Sequence, residues 1–480
     1  MSMMWVSDIA PELLLLVGSI VVLVFALSAP RRIQCWAALI ALMTLIATAA
    51  TTIHLMWILH DVQRFTFANS YAIDGAALSG KLIIIGITAV VVGLSVEWFA
   101  DDARQGEYYA ILLMSALGAI LLAGASDLME LALAVLLSSA TGAVLIAYHR
   151  RSKRAGEAAI KYYLLGALAN GVMVYGIVLL FGLAATTTYT GLQEGLSRAD
   201  PLPLIVGVSL VIVGLAFKMG AVPVHAWMPD VADGAPAPVA AFVTAAPKVG
   251  ALIALARLML LLPEASVGWR PVIALLAALT MTLGNAAALW QDNVRRLLGW
   301  SAVSQTGYGM MAVVAMGRSS LALPSLLYFL VAYTLGNLAA FGVVIQLRGV
   351  PERTRYVGLA RSHPLLAATL VVSFLSFVGI PPLAGFAAKL TLFGATIEAG
   401  YSWLAIVAVV NTVVSLAYYI RILGPIYFGA AGGEGPVESL PTLGIWAAIC
   451  VFLTAVTIVV LGVAAEPLLA VFRLAHLLPG

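Results

Sequence analysis

Three lysines stand where an apolar chain has least room for them. Lys218 closes a greasy stretch just ahead of "MGAVPVHAWMPD", Lys248 sits inside "AAFVTAAPKVGALIALA", and Lys389 follows "SFVGIPPLAGFAA". An ionisable side chain at the middle of a bilayer costs at least about 2.5–3.5 kcal/mol and reads as functional by default. The chemistry open to a buried amine is proton exchange, because burial disfavours the ammonium form. A water-linked series of such groups is a proton path; the plainer reading is three lysines tied to carbonyls for packing.

Other polar residues lie in the same kind of surroundings: Lys81, Glu97, Glu130, Lys161, Arg257 and Arg421. Lys81, Glu97 and Arg421 fall near the ends of apolar runs, where a side chain can snorkel to headgroups. Arg257 either pairs with a buried carbonyl or meets a lipid phosphate. Ser301, Ser304, Gln305 and Tyr308 in "GWSAVSQTGYG" share one face of a helix. That face reads equally as a wet interior or as a hydrogen-bonded helix interface with small-residue packing. His225 is either a proton relay near neutral pH or a loop histidine satisfied by backbone.

The elements that must hold these residues are set by composition. The chain has 480 residues, 62% of them hydrophobic and 10% charged, against about 25% charged in soluble domains. So much apolar surface needs lipid as its solvent. Cys35 and Cys450 are the two cysteines, too few for a disulfide framework or an iron–sulfur site. No phosphate loop or dinucleotide fingerprint follows a strand. A soluble enzyme and a nucleic-acid binder are excluded, and any redox cofactor is expected on other chains. Asp8 and Glu12 precede the first apolar run and Arg31 and Arg32 follow it, the reverse of a secretory signal.

A bilayer core needs about 20 apolar residues as helix. The sequence predicts an all-α polytopic membrane protein of 14 transmembrane helices, with runs near 10–29, 35–59, 76–98, 108–125, 127–148, 160–184, 203–221, 235–262, 271–290, 297–316, 321–347, 364–395, 401–428 and 442–473. Basic residues cluster after the odd runs: Arg31 and Arg32, Arg104, "HRRSKR" ending at Arg154, Arg295 and Arg296, then Arg348, Arg353, Arg355 and Arg361. Only Arg64, Arg198, Arg270 and Arg318 follow the even ones. The odd ends are therefore expected in the cytoplasm and both termini on the outer side.

Runs seven and twelve are each interrupted, by Gly220 and Pro223 and by Gly379, Pro381, Pro382 and Gly385. Proline removes a backbone bond and clashes with the preceding turn. In lipid the freed groups are tolerated only where protein or a water-filled cavity receives them. Paired interruptions mark an internal repeat with the transport site near the break. The expected division is 1–107 for helices one to three, 108–262 and 263–428 for two inverted five-helix units, and 429–480 for the last helix.

Four stretches, "GEAAIKYYLLGALANGVMVYGIVLLFG", "AFKMGAVPVHAWMPDVADGAPAPVAAFVTAAPKVG", "NVRRLLGWSAVSQTGY" and "FLSFVGIPPLAGFAAKLTLF", resemble the antiporter-like membrane subunits of respiratory complex I. The resemblance covers about residues 70–430, and "HAWMPDVADGAPAPVAAF" favours the subunit N branch over its sisters L and M. It implies broken helices seven and twelve and a proton-translocating module of the membrane arm of a bacterial inner-membrane enzyme. NADH, FMN, iron–sulfur clusters and quinone would lie on partner subunits. It also implies that Lys218, paired with a helix-five glutamate, passes protons by way of Lys248 to Lys389, with Lys161 in "AAIKYYLLG" as a further member.

One departure stands out. Where the family pattern carries its helix-five glutamate, "DLMELALAVLLSSATGAVL" has Leu136, and the nearest carboxylate is Glu130, six residues earlier. Either Glu130 substitutes from another face or Lys218 lacks its usual switch. The alternatives are a membrane subunit of a cation/proton antiporter or membrane-bound hydrogenase complex, and a non-pumping scaffold among membrane-arm neighbours.

Overall fold

The computed structural model describes residues 6–58, 63–197, 199–429 and 442–478. Arg198 lies outside them, as do residues 1–5, 479 and 480. Every one of the fourteen apolar runs is helical in whole or in two pieces. The first six are α1 (Ala10–Ser28), α2 (Trp36–Ile58), α3 (Gly75–Ser95), α4 (Gln105–Gly124), α5 (Leu128–Ile146) and α6 (Lys153–Ala184). Between α2 and α3 a small hairpin pairs β1 (Arg64–Thr66) antiparallel with β2 (Tyr71–Ile73), two strands too short to show in a hydropathy pattern. Polar residues start several helices: Asp74 accepts from Ala77 N (2.8 Å), Asp127 from Met129 N (2.7 Å) and Asn293 from Arg295 N (2.9 Å), each satisfying a donor that the first turn leaves open.

The middle of the chain is more broken. A short α7 (Tyr189–Leu196) leads to α8 (Pro201–Met219), then α9 (Trp227–Gly234), α10 (Ala237–Val243) and α11 (Ala246–Leu261). The run 235–262 is expected to be continuous, yet it divides at Thr244 and Ala245. Pro247 lacks the N–H that would bond Val243, and its ring crowds that carbonyl. After α12 (Glu264–Val267) come α13 (Trp269–Leu289), α14 (Val294–Ala315) and α15 (Ala322–Gln346). The last part holds α16 (Leu359–Ser362), α17 (Pro364–Val378), α18 (Ala384–Glu398), α19 (Ser402–Phe428), α20 (Ile445–Val463) and a short α21 (Ala465–Arg473).

Twelve helices are long and apolar enough to cross a membrane among the described residues. The other two runs are α14, diluted by its polar face, and α17–α18, split into two 15-residue pieces. α10, α11 and α15 pass through the centre, whereas α1, α2, α6, α19 and α20 turn much of their apolar surface outward. Trp57, Leu27 and Leu168 are largely exposed there, as side chains facing hydrocarbon should be.

Chain ends sort into two faces. On one, Ala76 N donates to His476 O (3.0 Å) and Glu12 meets Lys81, so the first and last described segments lie together. On the other, Arg154, Asp292, Asn293 and Arg353 line one pocket, joining the start of α6 to the segments that follow α13 and α15.

Candidate functional site

Both interruptions are built alike. Gly220 (φ +72°) and Gly379 (φ +90°) end α8 and α17 in the left-handed conformation that side chains resist. Each break contains a cis proline, Pro223 and Pro382. Side chains receive the backbone groups that the breaks release. Trp227 Nε1 donates to Phe217 O (3.0 Å), Thr306 Oγ1 to Met219 O (2.8 Å), and Val222 N to Thr280 Oγ1 (3.2 Å). At the second break Gln305 Nε2 donates to Phe377 O (3.3 Å) and Gly385 N to Ser376 Oγ (3.1 Å).

Lys218, one residue before the end of α8, is 1% exposed. Its Nζ donates to Tyr162 OH (3.0 Å) on α6 and Ser139 Oγ (3.2 Å) on α5. Lys248, at the start of α11, is equally buried and donates to Ala302 O (2.6 Å) and Tyr333 OH (3.0 Å), with its ammonium over the Tyr333 ring. Lys389 on α18 donates to Val378 O (3.2 Å), freed by the break, and to Thr412 Oγ1 (3.2 Å) on α19. It lies 4.0 Å from the centre of the Tyr308 ring. Among the described residues none of the three has an ion-pair partner.

α14 connects the three places. Thr306 Oγ1 lies 2.8 Å from Met219 O, next to Lys218, and 3.0 Å from Ala302 O, the acceptor of Lys248. Tyr308 OH is 2.9 Å from Thr412 Oγ1, which also takes the Lys389 bond. Ser301 Oγ meets Tyr419 OH at 2.5 Å. The face expected from the sequence is therefore in use, while Ser304 Oγ on it is buried without a partner. Residues that the sequence did not single out complete the set: Ser139, Tyr162, Thr306, Tyr333 and Thr412. Hydroxyls inside apolar runs were the available signal, but such residues also serve ordinary packing.

The remaining candidates fall elsewhere. Glu130 makes no ion pair with Lys218. It precedes Ser139 by nine residues of α5, about 13 Å along the helix and half a turn around it, so it stands on the face opposite Ser139. Leu136, 43% exposed, does share the Ser139 face, one turn before it. Lys161 is outside the buried line: its side chain is 44% exposed and pairs with Glu157 (2.7 Å) and Asp230 (2.9 Å), the latter also held by Arg296 (2.6 Å). His225 is half-buried beside Trp300 with no partner at Nδ1. Lys81 does not snorkel. It is wholly buried, 2.5 Å from Glu12. Arg257 is held by Asp74 (2.5 Å), as well as by carbonyls, and not by lipid phosphate alone. Glu97 accepts from Trp446 N and Ala447 N at the start of α20, and Arg421 pairs with Asp292 (2.5 Å). Among the described residues no three His, Cys, Asp or Glu side chains gather as a metal site.

A helix bundle with internal lysines on broken helices defines an antiporter-like membrane subunit. The family profile described as "NADH:quinone oxidoreductase/Mrp antiporter, TM" matches residues 125–415, more than half of the chain. NADH-quinone oxidoreductase subunit N 1 of Streptomyces griseus is 40% identical over 462 residues, covering 95% of each chain. Subunit N of Mycobacterium sp. (strain JLS) is 39% identical over 464 residues, 95% of this chain and 96% of that one. A chain of respiratory complex I from Thermus thermophilus superposes with a TM-score of 0.82 at 28% identity, over 97% of this chain and all of that one. The Mrp complex of Dietzia sp. shares the fold, with a TM-score of 0.86 at 21% identity over 98% of this chain and 97% of that one. The chain belongs to the NADH-quinone oxidoreductase subunit N family. It is an antiporter-like subunit of a multi-subunit membrane complex, the complex I oxidoreductase.

Proposed function

We propose that this chain moves protons across a bacterial inner membrane as a membrane-arm subunit of complex I. Quinone reduction, with NADH, FMN and the iron–sulfur clusters, takes place on partner subunits, and the change it produces reaches the lysines here. Lys218, Lys248 and Lys389 carry the proton in turn. Lys161, with Glu157 and Asp230, forms an acid–base cluster at the rim, and its neighbour Tyr162 bonds Lys218. The single observation that carries this reading is the set of three buried ammonium groups held only by neutral oxygens and joined through α14. No carboxylate fixes the proton on any of them, and burying a charge without a counter-charge is costly.

The architecture proposed with it has fourteen crossings, with 108–262 and 263–428 as inverted five-helix units, 1–107 before them and 429–480 after. Both termini lie on the periplasmic side. Replacing Lys248 or Lys389 with alanine in the assembled complex lowers proton uptake per NADH oxidised in sealed vesicles; a wild-type ratio in both variants overturns the proposal. Leu136 at the helix-five position favours a second reading, a membrane-arm scaffold that does not pump. Normal pumping in both lysine variants, together with collapse of the complex on deletion of the chain, selects the scaffold.

A further inference from the structure

Lys218 alone of the three lysines is held by hydroxyls without a carbonyl. Its two hydroxyl partners, Ser139 and Tyr162, also line a cleft of about 430 Å³ that opens outward between α5 and α6. Leu136 forms part of the wall, and Ala167 and Gly171, the latter with open space where a side chain would stand, leave room for a neighbouring backbone to come close. In the same cleft Asn170 is 6% exposed, and its Oδ1 has no hydrogen-bond partner. Its amide oxygen is thus buried and, among the described residues, unsatisfied in a place reached from outside, which costs free energy until something fills it. Around the mouth Leu133, Tyr163 and Leu168 are exposed apolar side chains.

Two deficits therefore meet at one opening, Asn170 in its wall and Lys218 directly behind Ser139 and Tyr162. A buried cation lacks a counter-charge, and a buried polar atom lacks a partner. The walls are apolar and the chain is a subunit of a larger membrane complex, so the occupant must itself be at home in hydrocarbon. A free anion or a water-soluble peptide is not. We propose that the α5–α6 cleft receives a transmembrane helix of another subunit whose carboxylate stands beside Lys218 in the place that Leu136 leaves without one. A second polar group on that helix satisfies Asn170. This rests on the reading of Lys218 as a proton carrier: the switch that the family pattern places in the same chain is supplied across a subunit boundary.

The test uses the intact complex in native membranes. A benzophenone amino acid is placed at position 136, and in a second preparation at position 167 on the α6 wall, so that failure of one to assemble leaves the other. After irradiation the adduct is mapped by mass spectrometry. The expected result is an adduct on another membrane subunit, within one or two turns of an aspartate or glutamate inside an apolar run. Replacing that acid by its amide then lowers pumping as Lys218→Met does, and Leu136→Glu restores it. Adducts to lipid alone, to a second copy of this chain, or to a helix with no intramembrane carboxylate overturn the proposal. The adduct is read independently of proton transport. Normal pumping in the Lys248 and Lys389 variants would thus sink the proposed function and leave the cross-link result standing on its own.

Discussion

Two sets of buried charge divide the molecule. At the end where the first and last described segments meet, Lys81 lies 2.5 Å from Glu12, and Arg257 takes both oxygens of Asp74 at 2.5 and 3.2 Å. In the centre, Lys218, Lys248 and Lys389 are as deeply buried, yet their partners are hydroxyls and carbonyls. Burial is the same and the counter-charge is not. A paired charge holds helices together. Asp74 starts α3, receives Arg257 from α11 and accepts from Leu478 N near the end of the chain (2.9 Å). A charge that meets only neutral oxygens lacks that anchoring partner. Stability and transport are therefore expected to separate between the two regions.

The largest effect should come from breaking the paired region. Asp74→Ala leaves the Arg257 guanidinium buried without its anion, which costs about 3–5 kcal/mol, and removes the cap of α3 as well, about 0.5–2 kcal/mol. The expected outcome is loss of this subunit from the purified complex, or a marked fall in its melting temperature. Asp74→Asn keeps a capping oxygen for Ala77 N while removing the charge, so it should fall between Asp74→Ala and wild type. The central region should respond the other way. Lys248→Met and Lys389→Met remove a buried cation without a counter-charge, and acceptors that they leave keep other bonds: Ala302 O with Thr306 Oγ1 (3.0 Å), Tyr333 OH with Thr244 O (3.0 Å) and Thr412 Oγ1 with Tyr308 OH (2.9 Å). The complex should assemble and melt nearly as wild type while proton transport per NADH is largely lost. If Lys248→Met disassembles the complex as Asp74→Ala does, the distinction between the two regions collapses.

What the sequence made legible follows from the range of each interaction. Helix existence is local, and all fourteen apolar runs are helices. The breaks at Gly220 and Gly379 were legible because glycine and proline act on their own backbone. The division at Thr244 was missed although Pro247 announced it, because the apolar run on both sides outweighed one residue. The three lysines stood out by residue type alone. Their partners did not, since Ser139 is 79 residues from Lys218 and Tyr333 is 85 from Lys248. Lys81 was misread for the same reason, and Arg257, held by carbonyls as one of its two readings had it, gains an Asp74 partner that the sequence did not reveal. A charge near a run end looks free to reach headgroups until tertiary packing brings Glu12 or Asp74 against it. Leu136 is ordinary as a leucine in an apolar helix, and it carries information only beside a resemblance in which another residue type belongs there.

A smaller effect sharpens the role of α14. Thr306→Val keeps the shape and removes the hydroxyl that lies between Met219 O and Ala302 O. The loss in stability should be about 0.5–1.5 kcal/mol. Transport should slow without being abolished, because Lys218 and Lys248 keep their own bonds. An unchanged rate would remove α14 as the connection between them while leaving the lysines in place.

The smallest effect is expected where sequence distance alone made a residue look important. Glu130 is the carboxylate nearest to Leu136 in the chain, but it belongs to the first turn of α5, where Asp127 already caps the helix. A carboxylate in a first turn gains about 0.3–1 kcal/mol from the helix dipole, and the adjacent Asp127 charge works against that gain. Glu130→Gln should therefore change the melting temperature little. It should leave the ratio of protons moved to NADH oxidised at its wild-type value, since no bond connects Glu130 to Lys218. A fall as large as that of Lys248→Met would tie Glu130 to the central lysines. The boundary drawn between paired and unpaired charge would then run through the wrong helix.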